Sequence, residues 1–73
     1  MIDEDELEFA VFCIESIAER LALNGAEVYK LLTRDSKLLD EYVIAYYEAL
    51  HTQGKEYIVE DITGFMREEG LIC

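Results

Sequence analysis

Few residues in this chain carry the side chains that chemistry needs, and they are widely spaced. His51 is the only histidine, and Glu48 lies three positions before it. A Glu-x-x-His pair on one helix face can ligate a metal in a di-iron bundle, but those sites use a second such pair and two further carboxylates. One histidine cannot supply them, so the expected role of His51 is structural. An imidazole or a threonine hydroxyl at a helix C-terminus bonds unpaired carbonyls, and a cationic imidazole also suits the negative end of the dipole. The run Asp3-Glu4-Asp5-Glu6 has the charge for calcium. A calcium loop, however, alternates its ligands about a central glycine and closes on a glutamate at position twelve. Leu7 and Phe9 interrupt that pattern, so the run is expected to be a solvated helix start. Cys13 and Cys73 have no CxxC or Cys-His partner at metal spacing. Cys13 sits in an apolar run and is expected as a small buried residue without a disulfide. Ser16 and Ser36 have no histidine close in sequence. The four glycines do not fall at phosphate-loop spacing. Glu60 and Asp61 are adjacent, and neighbours on a helix point about 100° apart. No catalytic, metal-binding or cofactor-binding residue is assigned, and an enzyme is not expected.

Composition points the same way. The 73 residues hold 17 Asp and Glu against 6 Lys and Arg, a formal charge of −11, with 52% hydrophobic residues. That length suits one domain without room for a deep cleft. The apolar fraction is too high for a disordered acidic chain. Phosphate binding needs a cationic excess, so no nucleic acid partner is expected, although a short helix before a longer one could suggest a helix-turn-helix. The acidic N-terminus is unlike a secretory leader, and no apolar run approaches the ~20 residues of a membrane span. A cytoplasmic protein with no membrane contact is expected.

The elements that must position these residues are helices. No proline occurs, so the glycines act as punctuation. Leu7, Ala10, Val11, Ile14, Ile17, Ala18 and Leu21 repeat at helical spacing and predict a long first helix over about Glu4 to Leu23, stopped by Asn24-Gly25. A short second helix is predicted over Ala26 to Thr33. Asp35 or Ser36 then caps a third, from about Lys37 to Leu50, whose core face is Leu38, Leu39, Tyr42, Val43, Ala45, Tyr46, Ala49 and Leu50. Gly54, in left-handed backbone, ends that stretch. A fourth helix follows over Glu56 to Glu69, with Ile58, Val59, Ile62, Phe65 and Met66 inward, and Gly70 stops it. Leu71-Ile72-Cys73 folds back as an apolar cap. Tyr57-Ile58-Val59 has strand propensity, but nothing else alternates with period two to pair with it.

Two groups fall off these core faces. Phe9, Phe12 and Ser16 lie roughly 140° to 200° around the first helix from Leu7. They are either an exposed aromatic patch for a partner or a face covered by the fourth helix or the tail; the covered reading is the simpler. Ile44, Tyr47 and His51 form a second stripe on the third helix, where tyrosine suits an interface. Tyr47 along a groove edge with its hydroxyl in water is the alternative.

Three blocks stand out: Glu8-Phe9-Ala10-Val11-Phe12-Cys13-Ile14-Glu15, Gly25-Ala26-Glu27-Val28-Tyr29, and His51-Thr52-Gln53-Gly54-Lys55-Glu56-Tyr57-Ile58-Val59-Glu60-Asp61-Ile62-Thr63-Gly64-Phe65. Together they resemble a bacterial family of short proteins of unknown function, with an FCIE block, a G-x-E-V-Y turn and an HTxGxxYIVxDI block. The resemblance covers nearly the whole chain and implies no activity, cofactor or catalytic residue. Members look as if they are encoded beside proteins resembling ADP-ribosyltransferase-type toxins, which implies an antitoxin or accessory role. From the residues alone, each position of the third block has a structural use, with Tyr57 stapling the reversal to the third helix.

The expectation is therefore an all-α, compact three- to four-helix single domain over residues 1–73, with a long first helix. It would serve as a small acidic protein-interaction module for a larger, basic partner, with Phe9, Phe12, Ile44, Tyr47 and His51 as candidate interface. The alternative is a homo-oligomeric structural protein without catalytic activity.

Overall fold

A computed structural model describes residues 3–72. Helix α1 (Glu4–Leu21) is followed by α2 (Gly25–Thr33), a π-helical segment (Leu39–Ile44), the single turn α3 (Tyr47–Leu50) and α4 (Lys55–Glu68). No strand occurs among the described residues, so the all-α class holds. One core joins every element: Phe9, Ala10, Cys13, Ile17 and Ala18 meet Val28 and Leu32, then Leu38, Leu39 and Val43, then Leu50, and finally Ile58, Val59, Ile62 and Met66. Leu71 and Ile72 pack against it as a half-buried cap; Cys73 lies outside the described residues.

The carboxylates at the start of α1 serve the backbone. Asp3 accepts from the Glu6 N–H at 2.9 Å and Glu6 accepts from the Asp3 N–H at 3.3 Å. This capping box satisfies two backbone donors, and Glu4, Asp5 and Glu6 suit the positive end of the dipole.

Three helix ends differ from expectation. Helix α1 stops at Leu21, and Ala22 takes the left-handed conformation (φ 57°) that Asn24-Gly25 was expected to supply. Asn24 instead caps α2, its side chain accepting from the Glu27 N–H at 2.8 Å, and Gly25 is the first helical residue. A short amide acceptor is worth more on orphan N–H groups than in a left-handed turn. Gly54 likewise has extended backbone (φ −73°, ψ 158°) and precedes α4 rather than reversing the chain. Gly70 does adopt positive φ, at 75°, and closes α4 as expected.

The apolar face of α1 also lies elsewhere. Phe9, Cys13 and Ser16 are buried, whereas Leu7 and Val11 are 55% and 47% exposed. The buried arc is turned by roughly a quarter of a circle from the predicted stripe. Both arcs are apolar, so hydrophobicity alone does not choose between them. Small side chains at Ala10, Cys13 and Ser16 offer the smoother surface for close packing, and α1 packs against α2, α4 and the π-helical segment. Phe9 and Ser16 are thus covered, while Phe12 remains 40% exposed.

The continuous third helix is broken into two. Ser36 accepts from the Leu38 N–H at 3.3 Å and donates to the Leu31 carbonyl at 2.8 Å, starting the turn as expected. Bonding then widens to i→i+5 over Leu39–Ile44 before α3 resumes. A π-helix turns fewer degrees per residue than an α-helix, so the later side chains lag behind their α-helical directions. Leu38, Leu39 and Val43 stay buried. Ala45, Tyr46 and Ala49, predicted inward, are exposed, and Tyr47 rotates toward Phe9.

Candidate interaction surfaces

The two predicted aromatic stripes turn out to be one row. Phe12 stacks on Phe9 at 6.3 Å, Phe9 meets Tyr47 edge-on at 5.4 Å, and Tyr47 stacks on His51 at 4.4 Å. Phe9 is buried at the centre of this row, which makes it an anchor between α1 and α3 rather than a contact residue for a partner. Tyr47 is half-buried. Desolvation and then the negative charges of Asp5, Asp3 and Glu6 raise its hydroxyl pKa. His51 is exposed and takes the helix-ending role: its Nδ1 lies 2.8 Å from the Tyr47 carbonyl, while the Thr52 hydroxyl donates to the Ala49 carbonyl at 3.0 Å. Ile44 is half-buried against the core and forms no part of the aromatic row. The free apolar surface here is Leu7, Val11 and Phe12 on α1.

A second surface was not singled out from sequence. Between the π-helical segment, α3 and the first half of α4 runs a groove of about 230 Å³, lined by Tyr42, Tyr46, Ala49, Leu50, Gln53, Tyr57 and Asp61. It opens into a broader acidic hollow of about 470 Å³ lined by Glu56, Tyr57, Glu60 and Asp61. Tyr42 is the floor. Its ring meets Tyr46 at 5.3 Å and Phe65 at 4.6 Å, and its hydroxyl donates to Asp61. Burial, then the Asp61 hydrogen bond and charge, push the Tyr42 hydroxyl well above the ordinary phenol range, so it stays a donor at any physiological pH. Tyr46 and Tyr57 form the rims, 55% and 57% exposed. Tyr57, expected to staple the reversal to the third helix, shares the groove lining with Tyr46, Ala49, Leu50 and Gln53 while more than half of it stays exposed. The i, i+4 spacing of Tyr42 with Tyr46, and of Tyr57 with Asp61, was the signal that could have placed each pair on one face.

Glu60 and Asp61 diverge as adjacent helical residues should. Asp61 turns to Tyr42, and Glu60 pairs with Arg20 at 2.7 Å across to α1. Lys55 reaches Glu19 at 3.5 Å. Both ion pairs are solvent-exposed and contribute at most ~1 kcal/mol each. No lysine or arginine lines the groove or the hollow. Among the described residues no group of three His, Cys, Asp or Glu is placed to hold a metal ion, and no helix is long and apolar enough to cross a membrane.

The long block from His51 to Phe65 divides by task. His51 and Thr52 finish α3, Gly54 begins α4, and Ile58, Val59 and Ile62 enter the core. Tyr57, Asp61 and Phe65 build the groove and its floor.

Fold and surface together define a small all-α domain whose exterior carries an aromatic groove and, on α1, the exposed apolar side chains Leu7, Val11 and Phe12. Residues 8–69 match the family described as Protein of unknown function (DUF3791), and the chain belongs to that family. No curated protein and no solved structure matches the chain.

Proposed function

We propose that this chain is a small, non-catalytic protein-interaction module of the cytoplasm that accompanies a larger basic partner, in an accessory or antitoxin-like role. The observation that carries this reading is the tyrosine groove beside Asp61, Glu56 and Glu60, exposed on a chain of formal charge −11 and lined by no cation. Exposed tyrosines supply contact area at low entropic cost, and acidic charge accelerates encounter with a basic partner. The same charge disfavours nucleic acid and anionic lipid as partners. The test is capture from an extract of the source cell, at low and high salt, by the native chain and by Tyr57→Ala. A partner retained at low salt, weakened at high salt and lost with Tyr57→Ala supports the reading. No partner specific to the native chain at either salt overturns it.

A second reading rests on Leu7 and Val11, one turn apart on α1 and both exposed. They would form a two-fold contact between copies of the chain. Light scattering at rising concentration tests this, and a strict monomer at high concentration removes it.

A further inference from the structure

We infer that the Tyr42–Tyr46–Tyr57–Asp61 groove receives an arginine side chain from a basic segment of the partner protein. The inference rests on the interaction-module reading and names the chemistry of its contact.

The groove has the parts that a guanidinium recognises. Three phenol rings border one cleft, with Tyr46 and Tyr57 exposed at its rims. Aromatic faces attract cations, and a planar guanidinium also stacks on them, which a lysine ammonium does not do. Asp61 lines both the groove and the hollow, half-buried, with the Tyr42 hydroxyl on Oδ2. A carboxylate has about four acceptor positions. One hydrogen bond from Tyr42 leaves Oδ1 free and still fixes the direction of the group. That is the pre-organisation a charge-assisted bidentate pair needs. At about 230 Å³ the groove is smaller than the ~300–1,000 Å³ of sites for drug-sized ligands, and suits one long side chain. Glu56 carries the negative field outward along the hollow, where Glu60 is offset by Arg20, and flanking basic residues of the same segment would lie there.

Charge complementarity selects this occupant over others. An acidic or phosphorylated segment would be repelled by Asp61 and Glu56, while Glu60 is already engaged by Arg20. A purely apolar side chain would strip water from Asp61 with nothing to replace it.

The test is a titration of the whole chain with a short Gly/Ser peptide containing two arginines, followed by amide NMR shifts and tyrosine fluorescence. Matched peptides carry lysine or citrulline in place of arginine. The expected result is shifts centred on residues 42–46 and 57–61, with arginine binding more tightly than lysine and citrulline not binding. Tyr57→Ala and Tyr46→Ala should each weaken binding roughly 3- to 30-fold. Asp61→Asn keeps an acceptor for Tyr42 and removes the charge, and should weaken binding about as much. Glu27→Gln on α2 removes one charge away from the groove and should have little effect. Equal losses for Glu27→Gln and Asp61→Asn, or shifts confined to the acidic start of α1, overturn the groove assignment while leaving a basic partner standing. Absence of any partner in the capture experiment is instead the failure of the underlying reading.

Discussion

Truncating Phe9 and Leu7 separately distinguishes the two faces of α1. Phe9 is 9% exposed and packs on Phe12 and Tyr47, whereas Leu7 is 55% exposed. Removing a buried phenylalanine ring costs about 3–5 kcal/mol, from lost transfer energy plus the cavity left behind. Removing an exposed leucine side chain stays within roughly 0.5 kcal/mol. A domain of 73 residues has a total stability of only about 4–11 kcal/mol. At this size 1 kcal/mol moves the melting temperature by about 4–8 °C. Phe9→Ala should therefore lower the midpoint by ~12 °C or more, and Leu7→Ala by less than ~4 °C. The assay is urea and thermal unfolding followed by far-ultraviolet circular dichroism. Phe9→Leu, which keeps most of the apolar volume, should fall between them and stays measurable if Phe9→Ala does not fold. A larger loss for Leu7→Ala than for Phe9→Ala would refute the assigned core face and the aromatic row with it.

Three further outcomes follow from the helix ends and the core. Asn24→Ala should cost about 1 kcal/mol by removing the acceptor for the Glu27 N–H, and Asn24→Gly only a few tenths, as urea midpoints can show. Gly64→Ala, where an added Cβ meets nothing within 4 Å inside α4, should stabilise by about 0.5–1 kcal/mol, while Gly70→Ala at φ +75° should destabilise by about 1 kcal/mol. Burial pushes the Cys13 thiol from 9.0 up to about 12. The unfolded chain then releases that proton first. Stability from this group is complete below pH 9 and falls by about 1.4 kcal/mol per pH unit until the folded thiol ionises near pH 12. Urea midpoints at pH 8, 9 and 10 should show this loss in the native chain, and Cys13→Ala should remove the part between pH 9 and 10.

Helix type and the approximate extents of α1, α2 and α4 were legible because apolar spacing near 3.6 residues is local. The capping box went unread although Asp3-x-x-Glu6 carries its pattern, whereas Gly70 as a stop followed from its lack of a side chain. Other features depended on tertiary competition. Helix α1 has two overlapping apolar arcs, and only its neighbours decide that Phe9 turns inward and Leu7 outward. Asn24 suits both a left-handed stop and an N-cap, and the second use won because α2 begins at the next residue. The π-helical segment has no proline or glycine to announce it. Without it, Tyr46 reads as core, and the groove it borders is hidden among residues assigned to packing. Tyr47 and His51 were read as an outer stripe, but Tyr47 packs against the core and meets Phe9, a contact that joins segments almost 40 residues apart.

The face proposed to bind a basic partner is the one built by the π-helical segment and α4. Amide hydrogen exchange on the chain, alone and in complex with the captured partner, tests this placement most directly. Added protection is expected at residues 42–46 and 55–61, with residues 7–12 unchanged. Protection confined to residues 7–12, with the groove exchanging as in the free chain, would contradict it.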